Sequence, residues 1–270
     1  MEIRKMEIIT SKSNQYIKKA RSLQEKKYRD QEGLYLIEGL RLAEEAVAAD
    51  VQLSYGFATQ RLIQSPRGSE LLQKLAHLPI FWLDDGLLAY CTDTVQPQGI
   101  LLVAPKTAND PAPLLAGGKS FWILADHVQD PGNLGAILRT GWAAGADGVI
   151  IMAGGADPYN PKTVRASMGA IFNLPLYLAA MDAEALALIK KAGLDILVAA
   201  AGGQCLYHKA DLCRPMVWVL GSEAEGASRF WKSEASTTVR LPMSANVESL
   251  NVSVAGGILF YETLRQRTSK

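Results

Sequence analysis

The side chains best suited to group-transfer chemistry fall in three polar stretches, each directly after an apolar run. The first runs Asp126-His127-Val128-Gln129-Asp130-Pro131-Gly132-Asn133-Leu134-Gly135 and leads to Arg139. The second is Gly221-Ser222-Glu223-Ala224-Glu225-Gly226-Ala227-Ser228, after Val217-Trp218-Val219-Leu220. The third begins at Leu241-Pro242-Met243 and continues to Ser249-Leu250-Asn251-Val252-Ser253. Pro242 stops a strand there, and a helix follows for which Ser249 is a natural N-cap. A helix N-terminus presents unpaired N–H groups, and Ser249 and Asn251 flank it with hydrogen-bonding oxygens. Asn133 likewise reads as the N-cap of the helix carrying Arg139.

Several common chemistries are excluded by spacing. Gly132 and Gly135 form G-x-x-G, not the G-x-G-x-x-G of a dinucleotide site. The loop at Gly221 imitates a phosphate-binding P-loop, but Ala227 stands where the lysine is required, and Glu223 and Glu225 would repel a triphosphate. It suits an adenosine or a cationic ligand better. His77, His127 and His208 are scattered and no metal site is expected; Cys91, Cys205 and Cys213 lack C-x-x-C spacing and are odd in number, against a disulfide framework.

These loops need a scaffold, and the chain supplies one by alternation. Apolar runs at 120–125, 148–152, 174–178, 195–199, 216–220 and 238–241 read as strands separated by helical patterns, which predicts a mostly parallel α/β sheet covered on both faces. Ligands then bind at the carboxyl ends of the strands. Before them, strands at 33–39, 54–59, 80–83 and 99–104, with helices at 40–49 and 71–77, make a small α/β unit. The expected domains are 1–104, a proline-rich linker at 105–119, and 120–270. In the last helix Gly256 and Gly257 each cost about 1 kcal/mol relative to alanine, so they should form a small-residue surface for close packing.

With 49% hydrophobic residues and a net charge of +1, the 270-residue chain is of ordinary soluble composition. No apolar run reaches the roughly 18 residues of a membrane span, and the charged N-terminus lacks a signal region, so a cytoplasmic protein is expected. Charge is uneven. Residues 1–29 hold nine cations, Arg4, Lys5, Lys12, Lys18, Lys19, Arg21, Lys26, Lys27 and Arg29, against Glu2, Glu7 and Glu25. A basic helix of this kind suits phosphate contacts with a nucleic acid.

Together the three stretches resemble the motifs of SpoU/TrmH-family RNA ribose 2′-O-methyltransferases of the SPOUT class. Asn133, Gly135 and Arg139 are similar to the family's first motif. Gly221, Glu223 and Gly226 are similar to the second, and Leu241-Pro242-Met243 with Ser249 to Ser253 to the third. Residues 162–170 are similar to the stretch between the first two motifs, and residues 13–39 to the ribosomal-protein-like RNA-binding domain of rRNA-modifying members. The resemblance implies a C-terminal trefoil knot, a homodimer through the catalytic domain, and S-adenosylmethionine (SAM) as methyl donor. It implies rRNA as the substrate, most naturally 23S rRNA.

By the same resemblance Arg139, Asn133, Glu223, Ser249 and Asn251 are catalytic, and Leu220, Gly221, Leu241, Met243 and Leu250 hold the adenosine. Arg139 as a general base conflicts with the very weak acidity of a guanidinium, which does not normally give up its proton in a protein. It is better cast as a fork for the adjacent phosphate and the developing alkoxide. Glu223 is either the base or a holder of Asn251 and its loop; Ser249 is either a proton route or a helix cap. A tRNA methyltransferase and a non-catalytic RNA-binding protein are the competing readings.

Overall fold

The structure is a computed structural model and describes residues 8–94, 96–107, 109–115 and 120–269. Glu2, Arg4, Lys5 and Glu7 of the basic N-terminal count, and residues 108 and 116–119 of the expected linker, lie outside the described residues. The chain forms two compact units, Met1–Thr107 with Tyr159–Phe172, and Ala108–Pro158 with Asn173–Lys270.

The first unit runs β1 (Ile8–Ile9), α1 (Gln15–Ser22), α2 (Lys26–Glu32), β2 (Leu34–Glu38), α3 (Leu40–Ala48), β3 (Tyr55–Ala58), α4 (Gln60–Ile63), α5 (Pro66–Lys74), β4 (Ile80–Leu83), α6 (Asp85–Cys91) and β5 (Ile100–Pro105). Its five-stranded sheet, ordered β1-β4-β3-β5-β2, is mixed: β3 runs parallel to β4 and antiparallel to β5. Ile17, Leu23, Phe57, Leu88 and Leu101 close a core between this sheet and the helices.

Two elements differ from expectation for local reasons. The single basic helix is broken into α1 and α2, because Arg29 is buried and donates to the carbonyls of Leu23 and Gln24 at 2.9 and 2.8 Å. It satisfies the end of α1, so it is no part of a solvated basic face. The helix expected at 71–77 spans Pro66–Lys74 instead, with Ser65 accepting from the Gly68 N–H and Pro66 at its first turn.

The second unit contains α7 (Ala112–Leu115), a short helix inside the stretch read as linker, then β6 (Phe121–Ala125), α8 (Pro131–Ala143) and β7 (Gly148–Met152). The chain next forms α9 (Pro161–Ser167), which packs on β2 in the first unit, and α10 (Ala170–Asn173). From α9, Arg165 pairs with Glu38 at 3.0 Å and with Asp93 at 2.6 Å. Burial pushes the Glu38 carboxyl above its ordinary value, partly offset by Thr94 and Arg165.

The second unit resumes with β8 (Leu176–Ala179), α11 (Asp182–Lys191), β9 (Asp195–Ala199), β10 (Cys205–Leu206), β11 (Met216–Leu220), α12 (Arg229–Ser233), β12 (Thr237–Arg240) and α13 (Val252–Thr268). All seven strands are parallel, in the order β10-β12-β9-β11-β6-β7-β8. Every residue of β6, β7 and β11 is buried, as continuous apolar strands in a doubly covered sheet require. No helix among the described residues is long and apolar enough to cross a membrane.

Gly256 and Gly257 do lie within α13 and meet neighbours of their own unit, though those neighbours are side chains and not a close backbone. A methyl group on Gly256 would stand 2.8 Å from Leu220 Cδ1, whereas one on Gly257 would sit 3.4 Å from Thr140 Cγ2, an ordinary contact. Gly257→Ala is therefore expected to raise stability by about 0.5–1 kcal/mol in urea unfolding through helix propensity. Gly256→Ala should fall below it, since the same gain is opposed by a clash with Leu220; equal gains at both positions would contradict this packing.

Candidate active site

The parallel register aligns the first two loops. Leu220 at the end of β11 faces Ala125 at the end of β6, and the Asp126 N–H donates to the Leu220 carbonyl at 2.8 Å. Asp126 is buried, and its Oδ2 accepts from the Ser228 N–H at 2.6 Å while Oδ1 lies 2.7 Å from His127 Nδ1. One carboxylate thus clamps the far end of the second loop to the start of the first. The sequence reading did not single out Asp126; its only signal was an acidic residue directly after an apolar strand.

The second loop closes tightly. Ser222 and Gly226 exchange backbone hydrogen bonds at 3.1 and 3.0 Å, with Gly226 in the left-handed region at φ 69°. Gly221 has no room for a side chain, since a Cβ would lie 1.8 Å from the Ala227 nitrogen. This is why glycine is required at the strand end.

Glu223 projects from that loop and gathers the others. Its Oε1 accepts from Asn133 Nδ2 at 2.8 Å and from the Asp130 N–H at 3.2 Å, and its Oε2 from the Gln129 N–H at 3.1 Å. Asn133 Oδ1 in turn accepts from Asn251 Nδ2 at 2.9 Å. Asn251 Oδ1 then accepts from the Ser253 and Val254 N–H groups and the Ser253 hydroxyl. Because a carboxylate only accepts, it sets the orientation of the Asn133 amide, and Asn133 sets that of Asn251. Glu223 therefore holds Asn251 through Asn133, not directly.

Two caps differ from expectation. Asn251, not Ser249, is the N-cap of α13, and Asp130, not Asn133, caps α8 by accepting from the Asn133 N–H at 2.9 Å. Pro131 at the first turn of α8 fixes the cap one residue before it. Ser249 is exposed, makes no hydrogen bond to a described residue, and lines a cavity instead.

That cavity has a volume of about 690 Å³. Leu220, Gly221, Leu241, Met243 and Leu250 all line it, together with Glu223 and Ser249. A fourth loop, Ala199 to Gly202 at the end of β9, contributes too. Glu223, Glu225 and Glu248 face it against one cation, Lys232, an acidic balance suited to a cationic ligand and adverse to a triphosphate. Arg139 is exposed and makes no hydrogen bond or ion pair with any described residue.

Comparison with known proteins places these features in context. Residues 120–261 match the model of the SpoU rRNA Methylase family, and residues 14–102 that of the MRM3-like substrate binding domain. The chain is 31% identical over 267 residues to the 23S rRNA (guanosine(2553)-2′-O)-methyltransferase RlmP of Bacillus subtilis, covering 95% of this chain and 98% of the relative. It is 28% identical to the 23S rRNA (uridine(2479)-2′-O)-methyltransferase of Streptomyces viridochromogenes, covering 97% and 93%. Among solved structures, the SpoU methyltransferase AviRb of Streptomyces viridochromogenes in complex with AdoMet superposes with a TM-score of 0.88 at 26% identity, over 95% of this chain and 99% of that one. A structure concerned with 2-OH methylation of C/U34 on tRNA matches over 99% of its own length but 56% of this chain, with a TM-score of 0.52 at 25% identity.

Burial alone would raise the Glu223 carboxyl, but the hydrogen bonds from Asn133, Gln129, Asp130 and its own backbone N–H outweigh it and leave it below the ordinary range. A depressed carboxylate stabilises the fold above its unfolded-state value and loses that contribution as pH falls through the folded-state value. Glu223→Gln is accordingly expected to cost about 1 kcal/mol or less at neutral pH, the site being exposed to solvent screening. In urea unfolding the gap from the parent should close in acid; a gap that persists there would contradict the relay's dependence on the carboxylate.

Proposed function

The chain belongs to the SpoU rRNA methylase family, and on that premise we propose that it transfers a methyl group from SAM to a ribose 2′-hydroxyl of 23S rRNA in the cytoplasm. The observation that carries this reading is the joining of an acidic, partly apolar cavity to the Glu223–Asn133–Asn251 relay at one rim of a parallel sheet. The cavity volume falls within the range of ~300–1,000 Å³ usual for small-ligand sites. Its residues fit SAM: backbone at Leu220, Gly221, Leu241, Met243 and Leu250 for the adenosine, and carboxylates for the sulfonium charge. When bound, SAM supplies a methyl group activated by that sulfonium.

The chain's own groups then position and stabilise. Both oxygens of Glu223 already accept from Asn133, Asp130 and Gln129, so it serves to orient the amides of Asn133 and Asn251 and offers no free oxygen placed to take the ribose proton. Those amides approach the ribose from a fixed direction, which lowers the entropic cost of in-line alignment. Arg139 grips the neighbouring phosphate bidentately and stabilises the developing alkoxide. The Ser249 hydroxyl, without a partner among the described residues, is open to relay the leaving proton to solvent.

The assembly we propose is a homodimer. α13 exposes Val254, Ile258 and Tyr261 at helical spacing, and the neighbouring α8 exposes Trp142 one turn from Arg139. A second copy covering this face would stand beside Arg139. Ile258→Asp is expected to shift the protein to monomer in sedimentation velocity. A trefoil knot is supported by the path of the chain: β12 lies between β9 and β10, after which α13 returns to α8 and to β11, where Trp218 Nε1 donates to Thr263 at 3.0 Å. The long N-terminal unit favours rRNA over tRNA, since the tRNA-related neighbour corresponds to only about half of this chain.

The deciding assay incubates the protein with labelled SAM and either 23S rRNA from cells lacking the gene or bulk tRNA, followed by digestion to 2′-O-methyl nucleosides. Label is expected in rRNA. Label in tRNA alone would overturn the substrate, and failure to bind SAM by calorimetry would overturn the enzyme. Arg139→Lys, which keeps charge but loses the fork, should reduce kcat by about tenfold or more with SAM affinity unchanged.

A further inference from the structure

The first unit carries a groove of about 320 Å³ that the reaction described above does not use. It is lined by Lys18, Arg21 and Ser22 of α1, Gln24 of the α1–α2 break, Tyr28 of α2 and Tyr90 of α6, with Glu25 as its one carboxylate. We propose that this groove binds an unpaired nucleotide of the RNA substrate, its base on Tyr90 or Tyr28 and its flanking phosphates on the surrounding lysines and Arg21. The proposal rests on the reading of the chain as an RNA-modifying enzyme.

The arrangement of charge supports it. Cations on these two helices and on the turn before α1 divide into two sets. Lys19 and Lys26 are neutralised by Glu32 and Asp30, and Arg29 is buried beneath the α1–α2 break. Lys12, Lys18, Arg21 and Lys27 are exposed and form no ion pair among the described residues. Three of these four stand over tyrosine rings: Lys12 and Arg21 lie 4.6 and 5.3 Å from the centroid of Tyr90, and Lys27 lies 5.7 Å from that of Tyr28. Apart from Glu25, the carboxylates of this segment are engaged by Lys19 and Lys26, and the free positive charge is concentrated around Tyr90 and Tyr28.

The walls are also held in place. Gln24 donates to the Cys91 carbonyl at 2.7 Å and Arg21 to the Tyr90 carbonyl at 3.3 Å, tying the α1–α2 break to the end of α6. Tyr90 is 36% exposed at that end. Single-stranded RNA is recognised by this pairing of splayed bases on aromatic or guanidinium planes with a cationic track for the backbone. A groove this small admits one nucleotide and not the edge of an A-form duplex.

The test uses the full chain and fluorescence anisotropy with a fluorescein-labelled dodecamer of uridine, against a blunt RNA duplex of the same length. The single strand should bind more tightly. Tyr90→Ala should weaken it by about tenfold while Tyr90→Phe stays near the parent, because stacking needs the ring and not the hydroxyl. Lys12→Ala with Lys18→Ala should lower the slope of log affinity against log salt by about 1.4, as expected for two phosphates on a single strand.

Melting temperatures and SAM calorimetry on the same samples separate misfolding from lost contacts. Should Tyr90→Ala melt early, the charge variant alone decides. Variants that bind the dodecamer like the parent, or displacement of the dodecamer by poly-glutamate as readily as by unlabelled RNA, would overturn the groove. That result with rRNA methylation intact leaves the enzymatic reading standing. Groove-dependent binding without methyl transfer to any RNA would overturn the enzymatic reading and leave the groove.

Discussion

The amide of Asn133 is gripped from two sides, by a carboxylate from the loop after β11 and by a second amide from the loop before α13. Each bond is ordinary in length, but the three groups are not interchangeable. A carboxylate that accepts from Asn133 and from two backbone N–H groups leaves the amide one orientation, and that orientation leaves Asn251 one as well. Segments about a hundred residues apart in sequence become a single directional chain. The N-cap of α13 is its last link, so the start of the final helix is coupled to the loop that walls the cavity.

This relay is feasible because the sheet beneath it is rigid and in register. Buried β6 and β11 lie side by side, and Asp126 joins their loops below the relay with a bond to Ser228. The second loop can then afford exposed glutamates at its tip, since its shape comes from Gly221, Gly226 and the Ser222 bridge and does not depend on them. The same glutamates give the cavity its acidic character. Scaffold and charge are separated, which allows a cationic cofactor to be recognised without a buried ion pair and its desolvation cost.

In the first unit charge is sorted in a comparable way. Arg29 abandons the surface to satisfy the carbonyls at the end of α1, and that break in the helix is also where Gln24 reaches α6. Arg165 from α9 is drawn into a pair with Glu38 and Asp93. Among the described residues, the unpaired basic set on the surface is smaller than a simple count of this segment implies, and three of its four members stand over two tyrosines.

Much of this was legible in the order of residues. The alternation of apolar runs and helical patterns specified a parallel sheet, because strands buried on both faces must be continuously apolar and connect through helices. The three loops were identifiable because glycine, proline and polar residues cluster where the chain leaves those strands. The local details were not. Ser249 and Asn251 are both good caps two residues apart, and the choice went to Asn251 because Asn133 holds it from across the sheet. Asn133 lost its own capping role to Asp130 once Pro131 set the first turn of α8. Asp126 and the loop after β9 depend on which strand lies beside which. Sequence periodicity carries no information on that order, which the packed sheet decides through bonds between residues far apart in the chain.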